Sequence, residues 1–228
     1  MNGLDMARRS VIGGGLAIGA AASLPAIGHA QAAAPALPPA ITRAERLARL
    51  AKARALMRRH DIGAILVEAG ASLDYFTGVQ WRRSERLTAA VIPAAGDPII
   101  VTPFFEKPSV EESLGIPAEV RVWQEDEEPL KLVADFLAER GVARQPIGFE
   151  ETVRYFALDK LRSAMPAVRV ASANPVVRGC RMFKSPAEIA LMQAATDITI
   201  AAIRNAHGRL REGMTPGEIG AMLKSAMV

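Results

Sequence analysis

Short apolar runs alternate with helix-like stretches along most of the chain after residue 42. The runs have the length of buried strands, and the turn 95–98, Ala-Gly-Asp-Pro, joins two of them as a hairpin. Between the runs, apolar residues recur three or four positions apart, as in amphipathic helices. Strands are predicted at residues 63–67, 87–92, 99–101, 120–123, 147–149 and 168–170, and helices at 43–60, 105–114, 130–140 and 155–164. This alternation predicts an α/β domain with a mixed sheet flanked by helices.

The last part of the chain has a different pattern. Residues 186–210 favour one long helix, and Pro216 begins another, each proline standing in a first helical turn. We therefore place a boundary near Asn174, with an α/β domain over residues 43–174 and a helical segment over 175–228. The long helix carries an apolar set that needs a second layer to cover it: Ile189, Met192, Ala195, Thr196, Ile200 and Ile203.

The first 30 residues have the pattern of an export signal. A charged start with Arg8 and Arg9 precedes an apolar stretch at 13–27, and a small-x-small site ends at Ala30. The arginine pair with a Gly-rich core indicates a twin-arginine signal peptide over residues 1–30, and hence a periplasmic or secreted protein. An ordinary secretory signal with an incidental arginine pair is the alternative. Residues 31–42 form an Ala/Pro tether.

The composition limits the partners that this protein binds. The chain has 228 residues, of which 50% are apolar and 5% aromatic, with a formal net charge of +4. Charges of both signs are interspersed and aromatic residues are few, which argues against nucleic acid as a partner. The leader is weakly apolar and contains Pro25, so we expect no permanent membrane span. Cys180 is the only cysteine, which rules out an intramolecular disulfide and favours a buried, inert thiol.

Three motifs at consistent separations point to a known family. They are Asp74-Tyr-Phe-Thr-Gly78, the set Arg181, Lys184, Glu188 and Met192, and Gly213-Met-Thr215. Together they resemble the creatinase, aminopeptidase P and prolidase family, the "pita-bread" metallohydrolases. The resemblance implies a creatinase-type N-terminal domain followed by the helical start of an incomplete pita-bread α+β catalytic domain.

The resemblance also implies a chemistry. In that family two divalent metal ions, held by two Asp, one His and two Glu, activate a bridging water that attacks a peptide or similar carbon. None of those ligands is assigned here, because His60 and His207 stand in no carboxylate cluster, and no residue is proposed as catalytic or metal-binding. The expected substrate of the complete protein is a short peptide or small amide, and its expected assembly is a homodimer through the N-terminal domain.

One substrate-binding residue follows from the resemblance. Creatinase-like members lend an arginine to the neighbouring subunit's active site, and Arg86 stands at the matching distance from Gly78. A guanidinium binds a substrate carboxylate through two parallel hydrogen bonds. Trp81 is predicted to line the same cleft. Ser84 stands where creatinase has an aromatic residue, which argues against creatine. The alternative is a set of surface charges paired with Glu85, with Trp81 packed beneath the loop.

The end of the chain leaves two further interpretations open. Residues 217–228 end without a helix stop signal, which predicts a chain that is cut short and inactive by itself. The main interpretation is that the chain is the front half of an Xaa-Pro peptidase-like enzyme. The first alternative is a non-catalytic dimerisation or partner-binding module of the same fold. The second is a periplasmic binding domain anchored by its leader.

Overall fold

The computed structural model describes residues 37–227, so the predicted leader and residues 31–36 of the tether lie outside the described residues. The strands are β1 (Ala64–Glu68), β2 (Ala89–Pro93), β3 (Ile99–Pro103), β4 (Glu119–Trp123), β5 (Ile147–Phe149) and β6 (Val170–Ser172). The helices are α1 (Arg43–Arg59), α2 (Ala71–Thr77), α3 (Lys107–Ser113), α4 (Pro129–Glu139), α5 (Tyr155–Ala164), α6 (Asn174–Arg181), α7 (Pro186–Arg209) and α8 (Pro216–Ser225). The last predicted strand is shifted, since it begins at Val170 and not at Val168.

The six strands form one mixed sheet in the order β4-β3-β2-β1-β5-β6. β2 is antiparallel to β1 and β3, with Ile65 opposite Ile92, while β1, β5 and β6 are mutually parallel and β4 is parallel to β3. Every residue of β1, β2 and β3 is buried, because helices cover both faces of the sheet. The predicted α/β class with a mixed sheet is confirmed.

Successive residues of β1 belong to two separate cores. Ile65 and Val67 pack with α1, α2, α3 and α6, whereas Ala64 and Leu66 pack with α4 and α5 on the opposite face. This division follows from the two-residue period of a strand. The described domain is therefore a three-layer sandwich whose helices fix both faces of the sheet.

Packing continues beyond Asn174, where the sequence predicted the boundary. α6 buries Val176, Val177 and Cys180 in the core that it shares with α1. Gly179 permits this approach, since a Cβ atom there would lie 2.9 Å from Leu56 Cδ1. We propose that the α/β domain ends after α6 and before α7.

The final two helices begin with matching capping boxes. Ser185 caps α7 and Thr215 caps α8, each accepting a hydrogen bond from the backbone of the glutamate three residues later. Along α7 only the small residues Ala202 and Ala206 are buried. Among residues 37–227, no helix combines the length and apolar character that crossing a membrane requires.

Candidate functional site

The sheet topology brings several connecting loops to one edge. β1, β3, β4, β5 and β6 run in the same direction, so their carboxyl ends share an edge, and the antiparallel β2 starts there. The loop before β2, residues 79–88, therefore lies at this edge, and we name it the edge loop. In open α/β sheets, the carboxyl ends of the strands are the usual position of ligand sites.

Arg86 of the edge loop contacts carboxylates and an aromatic ring. Its Nε donates to Glu125 Oε1 at 2.8 Å, and its guanidinium also pairs with Glu85. The guanidinium carbon lies 5.5 Å from the ring centroid of Phe105. The hydrogen bond to Glu125 raises the pKa of Arg86 above its usual value. The guanidinium of an arginine is charged at neutral pH. Its side chain is 35% exposed. Its partners in the structure are carboxylates, the same chemical group that Arg86 is predicted to bind on a substrate.

Trp81 has different surroundings from Arg86. It is half-buried and packs against the core formed by α1, α2, α3 and α6. Arg82, Arg83, Ser84 and Glu85 between the two residues are exposed. The structure thus places both predicted substrate-binding residues in one loop, with Trp81 against the domain and Arg86 among carboxylates near the surface.

A buried ion pair that sequence reasoning missed holds the edge loop. Glu68, at the end of β1, has a side chain with 0% exposure. Its carboxylate accepts hydrogen bonds from the backbone nitrogen of Arg154 at 3.0 Å and from Arg154 Nε at 2.7 Å. Arg154 then donates to the carbonyl oxygens of Ser84 at 2.6 Å and Arg86 at 3.2 Å. The signal that could have found this pair is a carboxylate directly after four apolar strand residues.

A second cluster of polar side chains lies at the carboxyl ends of β5 and β6. The buried Glu150 accepts from Ser72 Oγ at 3.2 Å and from the backbone nitrogen of Thr152 at 3.0 Å. Arg181 Nη1 donates to the same Ser72 hydroxyl at 2.7 Å. These residues adjoin a cavity of ≈ 300 Å³ that is also lined by Arg178 and Lys184. Arg181, one of the family-motif residues, is thereby connected through Ser72 to Glu150 at the sheet edge.

The described residues do not fit a dinuclear metal centre. Over residues 37–227, no three or more His, Cys, Asp or Glu side chains form a group that could hold a metal ion. His60 follows the last residue of α1, and His207 lies in the last turn of α7.

The fold is that of the α/β domain found in the N-terminal half of prolidase-like structures. Residues 49–183 match the family described as Creatinase/Prolidase N-terminal domain, and the chain belongs to that family. The resemblance inferred from the three motifs is confirmed.

Three relatives define the likeness further. The probable dipeptidase PepE of Mycobacterium tuberculosis is 30% identical over 175 residues, covering 76% of this chain and 44% of that protein. The crystal structure of dipeptidase PepE from Mycobacterium ulcerans, 30% identical, matches with a TM-score of 0.64 over 83% of this chain and 50% of that one.

A recombinant prolidase from Thermococcus sibiricus shares the fold at 20% identity, with a TM-score of 0.70 over 83% of this chain and 50% of that one. The chain thus spans about half the length of the relatives it matches, and those relatives are peptidases. It corresponds to the N-terminal portion of a peptidase-family protein.

Proposed function

We propose that this chain is the N-terminal portion of an exported, metal-dependent hydrolase that cleaves short peptides, in the manner of Xaa-Pro peptidases. The observation that carries the proposal is the arginine-bearing edge loop, fixed at the carboxyl edge of a Creatinase/Prolidase N-terminal domain. The similarity to dipeptidase PepE supports peptides as the substrate class. The two metal ions and their ligands belong to a portion outside this chain, so the chain alone is inactive.

In this proposal the edge loop contributes to binding and not to bond cleavage. Arg86 is permanently charged and already holds two carboxylates, Glu85 and Glu125. A peptide's terminal carboxylate takes the place of one of them, held by a guanidinium through two parallel hydrogen bonds. Arg86 acts in the active site of the neighbouring subunit of a homodimer, and Trp81 supports the loop from below.

The first test concerns Arg86 in the complete peptidase, isolated from the native host with the substitution in its gene. Arg86→Ala is expected to lower kcat/KM for a dipeptide by roughly 10- to 100-fold, mainly through KM, because one charged hydrogen-bonding partner is lost. Arg121→Ala is the matched control, since Arg121 also holds two carboxylates, Glu119 and Glu139, away from the edge loop. Equal kinetics for both variants would contradict the assignment.

The intact mass of the protein from the host tests the inactivity of the chain alone. A species near the 24.3 kDa of this chain less its leader predicts no peptidase activity. A species roughly twice as heavy, as the coverage of relatives suggests, predicts metal-dependent activity on dipeptides.

Export is a separate part of the proposal. The expected signal, with Arg8 and Arg9, lies outside the described residues. Replacing both arginines by lysine is expected to retain the protein in the cytoplasm if the twin-arginine route is used. Unchanged periplasmic levels would favour the ordinary secretory route, and an uncleaved leader at the membrane would favour an anchored binding domain.

The alternative function is a non-catalytic dimerisation or partner-binding module. It is favoured by the α/β domain, whose two cores close among the described residues, and by the exposed apolar side chains of α7, such as Ile189 and Ile203. A chain of this length that forms a stable oligomer and hydrolyses no peptide would support the module.

A further inference from the structure

A charged pair lies where the sheet and the edge loop meet. The Glu68 side chain is fully buried, and the Arg154 side chain is 27% exposed. The backbone nitrogen and Nε of Arg154 both donate to Glu68, and its guanidinium carbon lies 4.7 Å from the centroid of the Phe156 ring. The guanidinium thus contacts both the carboxylate and the ring.

The opposite side of this guanidinium holds the backbone of the edge loop. Arg154 Nη1 donates to the carbonyl of Ser84 and Nη2 to the carbonyl of Arg86. A second arginine adds to the same contact, because Arg83 Nε lies 3.9 Å from Glu68 Oε2 and Arg83 Nη2 donates to Thr152 Oγ1 at 3.0 Å. The loop is thus attached to β1 and to the start of α5 through side chains.

Stability alone does not explain a buried ion pair at this position. Desolvation of two charges offsets most of their attraction, and an apolar pair of similar volume often stabilises a protein as well or better. An apolar pair has no donors, however, and leaves both loop carbonyls without the hydrogen bonds from Arg154. The feature that the charged pair supplies and an apolar pair lacks is this direct attachment of the segment that carries Arg86.

We propose that Arg154, oriented by Glu68, is the positioning residue that fixes the edge loop so that Arg86 is presented to the substrate carboxylate. The inference rests on the proposed function of Arg86. Arg154 itself touches no substrate: it acts through the carbonyls of Ser84 and Arg86, and Glu68 acts through Arg154. The predicted consequence is a loop that is ordered before any substrate arrives.

The test uses the double variant Glu68→Leu/Arg154→Leu, because Arg154→Ala alone leaves a buried, unpaired carboxylate and endangers folding. In the 228-residue chain, limited trypsin digestion measures cleavage after Arg82 and Arg83, and hydrogen exchange measures the amides of residues 79–88. Loss of the Glu68–Arg154 pair is expected to accelerate cleavage in the edge loop by roughly tenfold, since cleavage follows the population of locally open states.

Two further variants sharpen this measurement. Arg154→Lys keeps a positive charge near Glu68 but has no planar fork for both carbonyls, so we expect faster cleavage than in the unmodified chain. Arg121→Leu/Glu139→Leu removes another arginine–glutamate pair, whose atoms lie 2.6 Å apart, and should leave loop cleavage unchanged. Unchanged loop cleavage and exchange in the Glu68/Arg154 double variant would overturn the inference without reference to any substrate.

Kinetics of the complete peptidase separate the inference from the proposed function. If both proposals hold, the double variant and Arg86→Ala each raise KM for a dipeptide, while kcat is retained. If the loop loosens and Arg86→Ala raises KM, but the double variant does not, the positioning role is wrong. If neither variant changes KM although the loop loosens, the proposed role of Arg86 fails, and the positioning role that rests on it fails too.

Discussion

The α/β domain and the α7–α8 pair contain similar apolar residues but bury them very differently. Phe76 and Ile65 in the domain are 0% exposed, whereas Ile189 and Ile203 of α7 are 57% and 53% exposed. The domain encloses its apolar side chains between a sheet and helices on both faces, while the main packing partner of α7 is the short helix α8. An apolar helical pattern thus predicts a helix, but a second layer decides whether its side chains are buried.

The two regions are joined by a small polar cluster at the start of α7. Arg49 of α1 pairs with Glu45 at 2.9 Å and with Glu188 at 3.2 Å, and donates to the carbonyl of Tyr75 at 2.9 Å. Ser185 Oγ donates to Glu45 Oε1 at 2.8 Å. The orientation of α7 at its first turn is therefore determined by charges and hydrogen bonds.

The largest expected effect compares one side chain from each region. Phe76→Ala is expected to lower the free energy of unfolding by about 3 to 5 kcal/mol, because it leaves a cavity in a closed core. Ile203→Ala on the exposed face of α7 should change it by less than about 0.5 kcal/mol. Urea unfolding of both variants measures the difference. A cost for Ile203→Ala close to that of Phe76→Ala would mean that α7 is covered in solution, and concentration dependence would identify a second copy as the cover.

A smaller effect is expected at the cluster that joins the regions. Arg49→Leu should cost about 3 kcal/mol, since it leaves Glu45 and Glu188 without their cation in a largely buried position. Hydrogen exchange should also increase in the first turn of α7. Arg58→Leu, an exposed residue in the last turn of the same helix, is the control. Equal stability of the two variants would show that α7 is not held by Arg49.

The two capping boxes allow a closer comparison. Ser185→Ala should cost about 1 to 2 kcal/mol, because it removes both a helix cap and the bond to Glu45. Thr215→Ala removes only a cap, and its expected effect is fraying of α8 with little change in the unfolding of the α/β domain. Circular dichroism and urea unfolding separate the local loss from the global one. The reverse order of the two effects would place α8, and not the start of α7, in the main cooperative unit.

The smallest effect concerns the buried thiol of α6. Burial raises the pKa of Cys180 to about 11. The folded state therefore holds the thiol proton where the unfolded state releases it, so stability falls as pH rises from about 9 to about 11 and is unaffected below that window. Stability measured against pH for Cys180→Ala should lack this component, while Tyr75, whose pKa is raised to about 12, contributes to both proteins. Identical slopes would contradict the burial of the thiol.

Local signals in the sequence predicted most of the α/β domain. Thr42 and Glu45 have capping-box spacing, and Thr42 indeed accepts a hydrogen bond from the backbone of Glu45 at the start of α1. The runs at Ile65 and Ile100 are short, apolar and bounded by turns, so their strands were also predictable. These elements were predictable because their local apolar pattern is enough to indicate a helix or a strand that is buried.

The elements that were missed depend on tertiary contacts. α2 is a short helix between Gly70 and Gly78, and the left-handed conformation of Gly78 ends it. The sequence pattern over its motif predicts no helix. α6 contains Pro175 and Gly179 and shows too few apolar positions for a helical period, and its stability comes from packing on α1. The Glu68–Arg154 pair likewise depends on a tertiary contact, since 86 positions separate the two residues. The sequence shows only one half of it, the carboxylate at the end of the apolar strand β1.

The order of the strands has a consequence for synthesis on the ribosome. β1 is made first and lies inside the sheet; β2, β3 and β4 then extend one side, and β5 and β6 are added last to the other. A nascent chain that has released β4 thus holds four contiguous strands, of which β2 and β3 form a sequence-local hairpin. The edge of β1 that pairs with β5 is still open at that stage. That open edge is the surface on which an incomplete chain would associate with its neighbours, and the emergence of β5 and β6 closes it.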